Sequence, residues 1–163
     1  MGSLVSFSIP SKAELKDMLG MLFTNLDIKD CDPIALDADD LFFGLYLDDD
    51  DNPVTLVVCD LPFSAYMGSS MTMLPPPVAA DTIKSGKLED MMVSNVKEVM
   101  NIVSRLFMLR GGNHLRFTTL HPVKDGLPDS VSGLLADIDQ QIYFDVEVPR
   151  YGTGKVGFLV PNS

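Results

Sequence analysis

Four polar residues recur at helical spacing in the segment SNVKEVMNIVSR: Ser94, Glu98, Asn101 and Arg105, at i, i+4, i+7 and i+11, with Asp90 one turn upstream. On a helix advancing about 100° per residue these side chains share one narrow arc. Together they offer a hydroxyl, a carboxylate, an uncharged amide that both donates and accepts, and a guanidinium. Periodicity alone is satisfied by a plain solvated face, on which Glu98 would pair with Lys97 or Arg105 for a few tenths of a kcal/mol. Asn101 fits that reading poorly, because asparagine is a weak helix former and gains nothing in the middle of a solvated helix face.

The element that positions these residues is the stretch from Leu88 to about Leu109, which lacks Gly and Pro and stops at Gly111 and Gly112. Such a stop is expected of a helix C-terminus. Leu88, Met92, Val96, Val99, Val103, Leu106 and Phe107 fall within about 100° on the side opposite the polar ridge and predict a core stripe. Around this helix, SKAELKDMLGMLFTN (11–25) predicts a first helix with Ser11 as N-cap and Glu14 completing a capping box. LFFGLYL and VTLVVCDL predict an antiparallel hairpin across the acidic turn DDDDNP. A short helix is expected over PFSAYMGSSMTML, halted by Pro75, Pro76 and Pro77. HLRFTTLHPV reads as a strand and DGLPDS as a loop; QQIYFDVEV and KVGFLVP read as two strands joined by a turn through Gly152 and Gly154. Helices and strands do not alternate regularly, so the expected fold class is α+β, with helices packed on a largely antiparallel sheet. A length of 163 residues fits one domain, 1–163.

Acidic residues outnumber basic ones 23 to 12, a net charge of −11, which argues against a nucleic-acid partner. No apolar run approaches the roughly 20 residues of a membrane span, and MGSLVSFSIP lacks the order of a secretory signal, so a cytoplasmic place without membrane contact is expected. Cys31 and Cys59 are isolated and are expected to be buried free thiols. His114 and His121 have no spaced partners, and no metal site is expected. In the acidic turn, Pro53 and Cys59 stand where a calcium loop needs glycine and glutamate, which leaves a solvated turn. No GxSxG, Walker or HExxH pattern is present.

The segment SNVKEVMNIVSRLF resembles the active-site pattern of the CheC/CheX/FliY chemotaxis phosphatases: Asp or Ser, three residues, Glu, two residues, Asn. Ser94, Glu98 and Asn101 occupy those positions, and Pro122 in HLRFTTLHPV stands for the downstream proline. One copy of the pattern is present, which places the resemblance closest to CheX, and it extends over nearly the whole chain. Two departures stand out. The gap of 20 residues between Asn101 and Pro122 is slightly shorter than in the family, and Ser104 and Arg105 replace a small residue and glycine.

The resemblance implies hydrolysis of the aspartyl phosphate of a CheY-like response-regulator receiver domain. Asn101 would orient the attacking water and Glu98 would pair with the receiver's lysine. Ser94, Arg105 and Asp90 would support docking, with Arg105 either touching the partner or obstructing it, and Pro122 would shape the strand end. No cofactor is expected on this chain, because Mg2+ would come with the phosphorylated receiver. A homodimer sharing a sheet edge is also implied. The alternative is a non-catalytic module that binds a receiver or a flagellar switch component without turnover. A purely structural protein with a solvent-facing ridge is a third possibility.

Overall fold

The computed structural model describes residues 7–162; residues 1–6, part of the stretch read above for a leader, lie outside it. In chain order the elements are helix α1 (Lys12–Leu19), strands β1 (Asp27–Asp30), β2 (Leu41–Asp48) and β3 (Pro53–Asp60), and helices α2 (Leu61–Met71), α3 (Pro76–Ser85) and α4 (Asp90–Val103). A 3-10 turn over Ser104–Met108 follows, then β4 (Leu115–Pro122), α5 (Asp129–Leu135), β5 (Ile138–Val148) and β6 (Gly152–Pro161). The six strands form one sheet in the order β1-β5-β6-β3-β2-β4, and every pairing is antiparallel. This is the α+β architecture expected from the sequence.

Alternation along the strands builds two apolar faces. One carries Tyr46, Val57, Cys59, Phe144 and Phe158 and meets the helical layer through Leu15, Phe63, Val96 and Phe107. The other carries Phe43, Leu45, Leu56, Val58 and Leu159 and is covered by α5, through Val131, and by Ile34 and Leu36 of the β1–β2 connection. All seven residues of the predicted stripe are buried, with Leu88 the most accessible at 8%.

Several boundaries differ from the expectation. Ser11 and Glu14 do form a capping box, but α1 ends at Leu19 rather than Asn25: the Gly20 N–H closes on Lys16, and the chain turns back at Asn25 with φ 59°. The proline run follows the end of α2 and also opens α3, which the spacing does not predict; a proline in a first helical turn forfeits no hydrogen bond, because the N–H there has no intrahelical partner. Strand β1 and helix α5 were also unforeseen. The chain from β5 to β6 turns through Pro149, Arg150 and Tyr151, with Arg150 at φ 76°, so Gly152 and Gly154 are strand residues instead of turn residues. Both cysteines are free; Cys59 is buried, whereas Cys31, expected to be buried, is only half-buried. In the acidic turn, Asp49 and Asp51 are paired with His114 and Arg116 from the start of β4.

The joint that seats α2 on the sheet rests on Asp60. Its carboxylate accepts the N–H of Phe63 at 2.8 Å, capping α2, and the N–H of Lys155 on β6 at 3.1 Å. Burial is the main cause that pushes this carboxyl up to about 6 from a usual 3.8, against those two bonds, which favour the ionised form. The folded state therefore holds the proton more tightly than the unfolded state. Its stabilising effect is complete below pH 4 and is lost as pH rises through about 6. Asparagine keeps the capping acceptor without the charge. Asp60→Asn is expected to raise stability at pH 7 by on the order of 2 kcal/mol and to flatten the pH dependence between 4 and 6. Urea midpoints at pH 4 and pH 7 check this, and an equal pH response in both proteins would count against it.

Candidate functional site

Helix α4 is held from two sides before its outer face is considered. Gly68 of α2 lets the two helices approach so closely that an added Cβ would stand 3.1 Å from Met92. Beside this contact, the Asn95 amide donates to the Gly68 carbonyl at 2.7 Å and lies 3.4 Å from Thr72 Oγ1. Beneath, Met100 packs over Gly44, whose absent Cβ leaves room for the methionine sulfur.

The end of α4 departs from a regular helix at Asn101. The Ser104 N–H turns to the Asn101 carbonyl and its hydroxyl donates to the same oxygen at 2.6 Å, so the chain tightens into the 3-10 turn. Met100's carbonyl receives the buried Tyr46 hydroxyl at 2.6 Å instead. Tyr46 is itself fixed by edge contacts with Phe107 and Phe117, at 5.4 and 5.7 Å between ring centres. The continuous helix expected to about Leu109 is therefore an α-helix followed by a tighter turn, with Asn101 at the junction. Tyr46→Phe leaves the Met100 carbonyl buried without that donor and is expected to lower stability by about 1–3 kcal/mol. A loss below about 0.5 kcal/mol in urea denaturation would mean that the carbonyl finds another partner.

The outer face carries the predicted ridge. Asp90, Ser94, Glu98, Asn101 and Arg105 are all exposed. Glu98, Asn101 and Arg105 line one open groove of about 510 Å³, walled by Met18, Met21 and Leu22 at the end of α1 and by His114, Leu115 and Arg116 at the start of β4. Ser94 and Asp90 continue the ridge towards the start of α4, outside this groove. Pro122, the last residue of β4, pairs with Phe42 and lines a different hollow together with Leu88 and Val93. The structure thus brings Glu98, Asn101 and Arg105 together in one groove, whereas Pro122 lies at the strand end and lines another.

The pairing expected of a plain solvated face does not form. Among the described residues, no ion pair joins Glu98 to Lys97 or Arg105, and the Asn101 amide makes no hydrogen bond. The two asparagines of α4 therefore differ: Asn95 is bound to α2, and Asn101 faces the groove unengaged. The spacing over 11–25 does not predict the apolar wall of Met18, Met21 and Leu22, because it carries the first helix on past Gly20. Once that helix stops at Gly20, Met21 stands 73% exposed and Leu22 39%. Among the described residues, no group of three His, Cys, Asp or Glu is placed to hold a metal ion, and no helix is long and apolar enough to cross a membrane.

No protein-family model and no curated protein matches the sequence. Solved structures do match in three dimensions. A chain of the CheX-CheY-BeF3-Mg+2 complex from Borrelia burgdorferi aligns with TM-score 0.55 at 11% identity, over 91% of this chain and 93% of that one. FliM in its complex with SpeE from H. pylori aligns with TM-score 0.59 at 5% identity, over 92% and 81%. FliY from Thermotoga maritima aligns with TM-score 0.52 at 11% identity, over 90% and 82%. The fold is CheC/CheX-like. At these identities the likeness concerns architecture alone. A CheX-like fold is shared by proteins with different names and partners, so the chemistry must be argued from the α4 groove.

Proposed function

We propose that this protein docks on a CheY-like receiver domain through the outer face of α4 and hydrolyses its aspartyl phosphate. The observation that carries the reading is Asn101. It is a poor helix former at the junction of α4 and the 3-10 turn, it is exposed in a walled groove, and its amide is unengaged while Asn95 on the same helix is bound. One of the similar structures holds CheX together with CheY, BeF3 and Mg2+, which supports a receiver as the partner class.

In this chemistry a water oxygen bonds to phosphorus, the bond from phosphorus to the aspartyl oxygen breaks, and the carboxylate leaves with the electron pair. The metal belongs to the receiver. The phosphatase has little covalent work to do, and orienting an in-line water is its main contribution. The Asn101 amide can donate to and accept from one water without adding a negative charge near the phosphoryl oxygens. Glu98, one turn earlier, is suited to a cation on the receiver, which fixes the register of docking. The methionines on the groove wall supply an adaptable apolar contact.

The test is phosphate release from Mg2+-bound, phosphorylated CheY-like receivers with and without the protein. Acceleration on at least one receiver supports the reading; binding without acceleration moves the protein to a second reading, a module that recognises receivers without turnover. The bulky Arg105 beside Asn101 favours that second reading if it blocks access to the phosphoryl group.

A further inference from the structure

Along α4 and its 3-10 extension the ridge reads anion, amide, cation: Glu98, Asn101, Arg105. Glu98 and Arg105 are two turns apart, about 10 Å along the axis, which explains why they do not pair. The other basic side chains on the groove are already engaged. Arg116 bonds the Asp51 carboxylate and the Asp48 carbonyl, and His114 bonds Asp49. Arg105 has no hydrogen bond or ion pair among the described residues and is exposed.

An arginine at a helix C-terminus often binds the last free carbonyls. Here the Asn101 carbonyl is taken by Ser104 and the Met100 carbonyl by Tyr46. That structural task is therefore filled by others. Helical Cα–Cβ bonds tilt towards the N-terminus, so a long side chain at 105 leans back over the turn that carries Asn101. A guanidinium there is within reach of whatever Asn101 faces.

We infer that Arg105 is a catalytic residue that binds the phosphoryl oxygens of the aspartyl phosphate and stabilises the charge spread over them as the bond to the aspartyl oxygen breaks. The inference rests on the phosphatase reading above. The guanidinium stays protonated throughout, the proton lost by the water passes to the released phosphate or to solvent, and no further reactant is needed. In a chain of net charge −11, an unengaged cation at this place offsets the repulsion that a phosphoryl group would otherwise meet.

The experiment measures dephosphorylation rates over a range of phosphorylated receiver concentrations for wild type, Arg105→Ala, Arg105→Lys and Asn101→Ala. Arg105→Ala is expected to lower the maximal rate about tenfold or more with a smaller change in KM, and Arg105→Lys to recover part of it. A maximal rate in Arg105→Ala at or above wild type, with Asn101→Ala inactive, overturns the inference and leaves the phosphatase reading standing. A change in KM alone reduces Arg105 to a docking contact and also overturns it. Wild type inert on every receiver removes the phosphatase reading, and the role of Arg105 falls with it.

Discussion

Asn101→Ala is expected to abolish accelerated dephosphorylation, by about a hundredfold or more, and at the same time to leave the protein no less stable. The two halves of that result follow from the same observations. The amide makes no bond within the described protein and is exposed, so truncation leaves no buried group unsatisfied. Alanine is also the better helix former, by roughly half a kcal/mol. A residue whose removal favours the fold but ends turnover is acting on the substrate. Binding of a beryllofluoride-charged receiver should stay close to wild type, because the proposed docking contacts of Glu98 and the methionine wall remain. Asn101→Asp sharpens the test: it preserves shape, but as an ionised carboxylate it only accepts hydrogen bonds and repels the phosphoryl oxygens. It should be as inactive as alanine. Asn95→Ala should do the reverse, losing the bond to Gly68 and therefore stability, while folded protein retains turnover. If Asn101→Ala retained wild-type turnover, the site would have to be sought elsewhere on the surface.

The candidate site was legible in the sequence to the extent that it depends on one helix. Spacing alone separates Leu88, Met92, Val96 and Val99 from Ser94, Glu98 and Asn101, and the structure buries the first set and exposes the second. The α+β class was equally accessible, because the strand pairs are marked by dense runs of β-branched and aromatic residues. What escaped has identifiable physical causes. A proline run can end one helix and begin another, and local sequence does not say which; here Pro75 to Pro77 follow α2 and start α3. Strand β1 is four residues with a single buried side chain, Ile28, and forms only because β5 offers it a ladder. The groove wall depends on where α1 stops. The tightening at Asn101 depends on Tyr46, which is 54 residues distant in sequence. Long-range partners decide such features, and periodicity does not contain them.

Gly154 gives the strongest case of a residue whose meaning changes between sequence and structure, and it carries the largest expected effect on stability. In the sequence, Gly152 and Gly154 resemble a turn, where glycine would be needed for its backbone freedom. In the structure Gly154 lies within β6, opposite Val146, and it is not among the residues with positive φ. Its backbone is therefore open to alanine. The obstacle is space: an added Cβ would stand 2.2 Å from Phe63 Cα and 2.3 Å from its nitrogen. Those atoms belong to the first turn of α2, which the two bonds of Asp60 hold against the same strand, so relief requires moving the helix and breaking its cap. Overpacking ordinarily costs about 1–3 kcal/mol when side chains can adjust. Here backbone meets backbone, and Gly154→Ala is expected to lower stability by about 3 kcal/mol or more. Gly133 in α5 provides the control, since nothing lies within 4 Å of a Cβ built there. Gly133→Ala should stabilise by up to about 1 kcal/mol, as expected for a helix interior. Urea denaturation of the two variants measures the contrast directly. A Gly154→Ala protein as stable as wild type would show that α2 can lift from β6 at little cost, and the seating of the helical layer that carries the α4 groove would then need another explanation.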